Sequence, residues 1–220
     1  MHNFFEFMTT TPVSQTDLDY FETIPHLRHY LHDPAYDVTP FVSVFKKPHS
    51  PSMDLFFAKT IRSPDTVPHC LMLLKKGGLE RQWTLPELTA EKANTKSRPF
   101  PAPEIAEVTI LFDLREGMNG FANTAHGGSM CALLDETLGM CAEVHRQIQD
   151  PEAKTNLYTA QLNTSFLAPV VTPNVVRIKA WLVGAEGRKW RLRAQMDDGH
   201  GKPLMETESL WISSREQGSL

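Results

Sequence analysis

The residues able to do chemistry gather between positions 126 and 136. His126-Gly127-Gly128 stands at the head of an apolar run, and Asp135-Glu136 lies inside that run. The first N–H groups of a helix have no partner within it. Glycines let a ligand oxygen come close to that backbone, and the helix dipole adds positive potential. Such a turn can hold the oxyanion that develops in acyl transfer; the plain alternative is a tight turn into a helix. A carboxylate among apolar neighbours is costly unless paired or put to use. Asp135 and Glu136 are therefore candidates for a base or nucleophile, the alternative being an exposed helix edge. One of the pair is expected to face the sheet or a cavity, and the other a different side.

Spacing limits how these parts cooperate. Asp135 follows Gly127 by eight residues, roughly 12 Å along a helix axis. That is too far for Asp135 to act on a carbonyl whose oxygen rests on its own helix N-terminus. If both serve one site, two helices must meet antiparallel, as in a two-fold dimer with two equivalent sites.

The elements that position them follow from periodicity. In SMCALLDETLGMCAEVHRQI, apolar residues cover nearly all sides, which marks a buried helix. A strand pattern, AEVTILFDLRE (106–116), precedes it. After Pro151 come LYTAQLNTSFLAP, NVVRIKAWLVG, RKWRLRAQMDD and LMETESLWISS, each alternating with period two and separated by Pro or Gly turns. This order predicts an α+β sheet packed around one helix. Strict alternation puts Thr159 on one strand face with Gln161, Asn163 and Ser165, as a site wall or a solvated face. Tyr158, Ala160, Leu162, Thr164 and Phe166 form the other. Upstream, TDLDYFETIPHLRHYLHDP predicts two short helices, capped at Thr16 or Asp17, broken at Pro25 and closed at Pro34. Residues 53–62 and 67–76 read as strands, residues 1–15 as a frayed tail, and 84–105 as a Pro-rich connector.

Composition narrows the classes. The chain has 220 residues, 41% of them hydrophobic, and a net charge of −4. That is enough for a core without disulfide staples, and the acidic balance disfavours a general nucleic-acid binder. The three cysteines form no CxxC pair, which fits a reducing compartment better than a disulfide framework. Cys131 and Cys141 read as core. The uncharged stretch from Asn156 to Val176 is interrupted by Asn, Gln and Pro, so no membrane insertion is expected. The N-terminus lacks the basic region of a signal peptide, and a cytoplasmic location is the expectation. His26, His29 and His32 differ from a metal-binding HExxH pattern, so no metal is expected. Ser129 lacks the second glycine of a nucleophile elbow. Arg177, Lys179, Arg188, Lys189, Arg191 and Arg193 cluster on neighbouring strands. Most read as a solvated charged face; Arg188 and Lys189, beside Gly187, are the better candidates to grip phosphates.

HGGSMCALLDETLGMCAE, followed by YTAQLNTSFLAPV and EGRKWRLRAQM, resembles the hotdog-fold acyl-CoA thioesterases. The likeness is to the PaaI-like branch and to long-chain acyl-CoA thioesterases with an HGG turn, and it covers about residues 104–213. It implies a hotdog fold, a curved antiparallel sheet around one central helix, with residues 1–103 as an N-terminal extension on the same domain and 214–220 as a tail. It implies Asp135 as nucleophile or general base, Gly127 and Gly128 as thioester-oxygen binders supported by His126, and Thr159 as the residue orienting water. Asn119 and Asn123 compete for the asparagine before the turn. Asn123, Glu136, Arg188 and Lys189 are the candidate substrate contacts. The implied activity is hydrolysis of acyl-CoA by an enzyme at least dimeric, with coenzyme A as part of the substrate and no other cofactor. The alternatives are a hotdog enzyme releasing or modifying an acyl chain on a carrier protein, and a non-enzymatic acyl-CoA-binding protein.

Overall fold

The computed structural model describes residues 7–8, 10–45, 55–77, 100–151 and 155–215. Its helices are α1 (Gln15–Glu22), α2 (Pro25–Leu31) and α3 (Gly127–Gln149). Strands β1 (Tyr36–Thr39), β2 (Cys70–Lys75) and β3 (Val108–Leu114) precede a small hairpin of β4 (Asn119–Phe121) and β5 (Thr124–Ala125). After α3 come β6 (Leu157–Phe166), β7 (Asn174–Glu186), β8 (Lys189–Asp197) and β9 (Pro203–Ser213). Seven strands form one antiparallel sheet in the order β1-β2-β3-β7-β8-β9-β6, so β6 lies at an edge. This mixed architecture, a hotdog, is the one expected. The strands β1 and β2 extend the same sheet beyond β3.

Alternation explains which face carries α3. Ile110, Phe112, Val176, Ile178, Leu192 and Met205 line one face and are buried with Leu133, Leu134, Leu138 and Cys141 of the helix. Gly139 lets helix and sheet approach closely: a Cβ there would lie 3.0 Å from the Trp211 ring. On the other face, Leu71, Leu73, Leu111 and Val175 form a second cluster with Phe21 of α1 and Leu27 of α2. The N-terminal helices thus roof part of the outer face. This overturns the solvated-face reading for two arginines. Arg177 pairs with Asp197 beneath the Tyr30 ring, and Arg193 pairs with Glu208 beside the Phe100 ring, and both are buried.

Three local expectations need correction. Phe56–Ile61 is a π-helical turn, not part of a strand; residues 53 and 54 lie outside the described residues. Alternation would have put Lys59 on one side with Phe57 and Ile61, whereas a helical turn buries Phe57 and Ile61 and leaves Lys59 exposed. The cap of α1 is Ser14, whose hydroxyl accepts the Asp17 N–H, rather than Thr16 or Asp17. Asp17 is buried instead, bound by Arg62 and His69. Pro25 does separate α1 from α2, by opening the second helix where no N–H is needed. Strand β2 lies within the predicted 67–76. Residues 84–99 of the connector and 216–220 of the tail lie outside the described residues. Among the described residues, no helix is long and apolar enough to cross a membrane.

Candidate active site

The head of α3 is set by the β4–β5 hairpin. His126 is the N-cap, its backbone extended and its N–H donating to the Met118 carbonyl at 2.7 Å. Its Nδ1 accepts the Gly128 N–H at 3.0 Å. The imidazole therefore closes the turn as a cap, and of the two expected oxyanion amides the Gly128 N–H is already taken up. The competing asparagines both have local work. Asn119 is hydrogen-bonded to the buried Thr172 hydroxyl. Asn123 takes a left-handed backbone (φ 56°) in the hairpin turn, a conformation asparagine tolerates better than most residues. Its carbonyl accepts the Thr172 N–H at 3.1 Å.

Two turns along α3, Asp135 faces β6 and its Oδ1 accepts the Thr159 hydroxyl at 2.9 Å. Burial pushes the Asp135 carboxyl above the ordinary aspartate range, and the Thr159 hydrogen bond pulls it part of the way back. The two residues meet because β6 is not a regular strand. Its register with β9 skips Ala160: Thr159 faces Trp211, and Gln161 faces Leu210. This bulge corrects the alternation drawn from sequence. Thr159 shares the helix-facing side with Leu162 and Thr164, and Gln161 and Asn163 turn to the opposite face. A bulge re-aims side chains in this way wherever one extra residue enters a ladder.

Glu136 parts from Asp135, as expected of neighbours on a helix. Its carboxylate is hydrogen-bonded to the Ser43 hydroxyl in the 3-10 turn Val42–Val44, so it faces the N-terminal segment rather than β6. Ser43 went unseen in the sequence, since only the tertiary fold brings residue 43 to α3. Arg188 lies in the turn after Gly187, donating from its guanidinium to the Ser213 carbonyl at 2.9 Å. It lines a depression at the C-terminal end of α3 with Arg146, Asp150 and Arg215. Lys189, the first residue of β8, precedes Trp190, which is buried on the helix side. Alternation therefore points Lys189 to the other face, and the structure does not bring it together with Arg188.

One described cluster has metal-ligand chemistry: Glu107, Cys141 and His145. Cys141 and His145 are one turn apart on α3, a spacing visible in sequence; Glu107 was missed. Its Oε2 accepts from the Leu182 N–H at 2.7 Å and the Cys141 thiol at 3.4 Å, and lies 2.6 Å from His145 Nε2. These contacts satisfy a carboxylate at the helix–sheet junction, and the cluster lies more than a turn beyond Asp135. Nearer the glycine turn, the surface is apolar and open. Phe121 is 80% exposed, and Tyr158, Phe166, Leu167 and Val171 are exposed with it. The Phe166 ring rests on Gly127, where a Cβ would come within 3.0 Å of it.

Comparison with known proteins places this geometry. Residues 122–204 match the family model described as the thioesterase superfamily. Among curated proteins, verlamelin biosynthesis protein B from Lecanicillium sp. is 24% identical, over 91% of this chain and 90% of that protein. Among solved structures, a thioesterase superfamily protein is 24% identical with a TM-score of 0.40, over 48% of this chain and 50% of that one. A Bacillus halodurans protein solved with CoA is 20% identical with a TM-score of 0.42, over 48% and 66%. The match thus spans about half the length of the first of these structures. The stretch similar to the thioesterase superfamily model contains the glycine turn, Asp135 and Thr159.

Proposed function

We propose that the chain hydrolyses an acyl thioester to the free acid and the thiol, with Asp135 as the catalytic carboxylate. The observation that carries this reading is the Asp135–Thr159 pair: a half-buried carboxylate that accepts a neutral hydroxyl, on the helix that begins with the glycine turn. Burial keeps Asp135 basic for an aspartate, which suits a group that must take a proton near neutral pH. Asp135 removes a proton from water, whose oxygen forms the new C–O bond at the thioester carbon; if the carboxylate itself attacks, the thiol is released first and a water then cleaves the resulting anhydride to free the acid and restore Asp135. The oxyanion rests on the Gly127 amide, joined by that of Gly128 once a ligand displaces the His126 cap. Collapse of the intermediate breaks the C–S bond, and the sulfur leaves with a proton. Thr159 fixes the carboxylate and, through it, the water. No metal or redox step is required.

The helix α3 is continuous from Gly127, so the ~12 Å separation of the glycine turn from Asp135 holds. The site is therefore built from two copies, each giving its turn to the other's Asp135. Two features support that assembly. The strand β6 is a sheet edge, and edges invite pairing. The exposed Phe121, Tyr158, Phe166, Leu167 and Val171 flank that edge and the turn, an apolar surface that a partner would cover.

The substrate of this reading is an acyl-CoA, consumed in the cytoplasm. A second reading is favoured by the curated relative, which is named as a biosynthesis protein: release or modification of an acyl chain carried on a protein. Turnover of an acyl-CoA panel, read as thiol release, against the same acyl groups on a carrier protein tests both. Thiol release from neither would overturn the hydrolase.

A further inference from the structure

We infer that Gly117, pressed against the Ser63–Thr66 turn of the N-terminal extension, is a positioning residue for the glycine turn at the head of α3. The inference rests on the thioester reading above and deepens it by giving the extension a part in the site. The Ser63–Thr66 turn is closed on the end of the π-helical turn before it. The Ile61 carbonyl accepts the Ser63 N–H at 3.0 Å, the Val67 N–H at 3.2 Å and the Thr66 hydroxyl. That hydroxyl also lies 2.8 Å from the Ser63 hydroxyl. Arg62, beside the turn, is held in place by Asp17 and Cys70. The carbonyls of Asp65 and Thr66 are left facing the chain that follows β3. The Gly117 N–H donates to the Asp65 carbonyl at 2.7 Å, and the Arg115 N–H to the Thr66 carbonyl at 2.8 Å. The Asp113 N–H donates to the His69 carbonyl at 2.9 Å. These bonds carry the contact between the two chain segments past the end of the β2–β3 ladder, at Cys70 and Phe112.

The contact is tightest at Gly117. A Cβ there would lie 2.4 Å from the Asp65 carbonyl oxygen and 3.0 Å from its carbon, backbone atoms that cannot swing aside as a side chain would. Glycine is what lets the two backbones come this close. From Gly117 the path to the glycine turn is short. Glu116–Met118 forms a 3-10 turn, in which the Met118 N–H donates to the Arg115 carbonyl at 3.0 Å and the Met118 side chain is buried. The Met118 carbonyl then accepts the N–H of His126, the N-cap whose next amide is that of Gly127. The far side of the hairpin is held separately, by the Ala125 N–H on the Val170 carbonyl at 2.9 Å and by Thr172 on Asn119 and Asn123. The extension thus sets one of the two supports on which the oxyanion-binding amides are aimed. Such amides act on charge that develops in the transition state. A shift in their support is therefore felt in kcat and kcat/KM alike, and little in KM.

The test is Gly117→Ala in the full chain, with thiol release and amide hydrogen exchange read on the same protein. We expect kcat to fall ~10-fold or more, part of the loss that follows removal of an oxyanion donor. KM should stay within about twofold of wild type, and the acid limb of the pH–rate profile should not move, because Asp135 and Thr159 are untouched. Exchange should quicken over the hairpin and glycine turn, residues 119–128, while the rest of α3 exchanges as in wild type. A merely structural role would lower the melting temperature and leave kcat per folded molecule unchanged. If Gly117→Ala does not fold, Thr66→Val, which keeps the shape of the turn and removes the hydroxyl that closes it, should lower kcat ~3-fold in the same pattern, the scale of one neutral hydrogen bond. Unchanged kcat and exchange in the folded variant, or a raised KM at unchanged kcat, overturns the proposal and leaves the hydrolase standing. If the unaltered protein releases no thiol from any thioester, the hydrolase reading fails, and exchange alone decides: quickening confined to residues 119–128 supports the positioning role, and unchanged exchange overturns it.

Discussion

Two aspartates, Asp17 in the N-terminal extension and Asp135 on the central helix, are both withdrawn from water and are served very differently. Both Asp17 oxygens accept the Arg62 guanidinium at 2.8 and 2.9 Å, and one also meets His69 Nδ1 at 2.9 Å. Arg62 in turn donates to the Cys70 sulfur at 3.0 Å, and His69 stacks on Tyr20. Asp17 thereby ties α1 to the sheet. Asp135 has one hydrogen bond among the described residues, from a neutral hydroxyl. A buried carboxylate with full cationic service anchors structure. One left under-served sits at a higher proton affinity and is able to react.

Exchanging each aspartate for asparagine breaks that contrast most directly. Asp135→Asn should lower kcat at least ~100-fold, the scale of a lost general base, in protein that still folds. Thiol-release kinetics beside a melting curve measure both, and activity within threefold of wild type would contradict the assignment. Asp17→Asn should do the opposite. It leaves Arg62 and His69 facing a neutral amide, with a loss of ~2–3 kcal/mol; the figure for breaking a buried pair is reduced because Arg62 is partly exposed. Denaturant titration gives this value, and kcat per folded molecule should stay near wild type.

Thr159→Val removes the hydroxyl that donates to Asp135, its one hydrogen bond among the described residues. We expect kcat to fall ~10-fold, equivalent to one hydrogen bond to a charged group. The acid limb of the pH–rate profile should move to higher pH, because this bond holds the Asp135 carboxyl down. An unmoved limb would show that another group governs it.

The smallest effect is on stability. A carboxyl whose folded pKa is raised favours folding below its unfolded value of 3.8, and that contribution is lost as pH rises through the folded value. At neutral pH the charged Asp135 is therefore a liability. Asp135→Asn should melt slightly above wild type there, and the advantage should vanish on acidification below pH ~4. A lower melting temperature at neutral pH would show that the carboxylate is structurally required.

Sequence periodicity reads well where one element decides its own pattern. The all-round apolar composition of α3 and the period-two runs of β7, β8 and β9 are local signals, and these elements form where expected. What escaped depends on a partner. The Ala160 bulge is a property of the β6–β9 ladder; without it, Thr159 would turn away from Asp135. The arginines Arg177 and Arg193 look solvated until Tyr30 and Phe100 cover them. The π-turn at Phe56–Ile61 mimics alternation over too few residues to betray its helical spacing. Glu136 was legible as a buried-helix carboxylate, but its partner Ser43 lies 93 positions away.

Mixing two inactive variants shows whether one site joins the glycine turn of one copy to Asp135 of another. Asp135→Asn and Gly127→Val chains, each dead alone and each melting near wild type, are unfolded together and refolded. In a two-fold dimer, half the reassorted dimers are mixed and one of their two sites is intact, so about a quarter of wild-type activity should return. Mixed dimers that demonstrably form and hydrolyse no thioester, or a monomer with full activity, would show that each copy holds a complete site of its own or none.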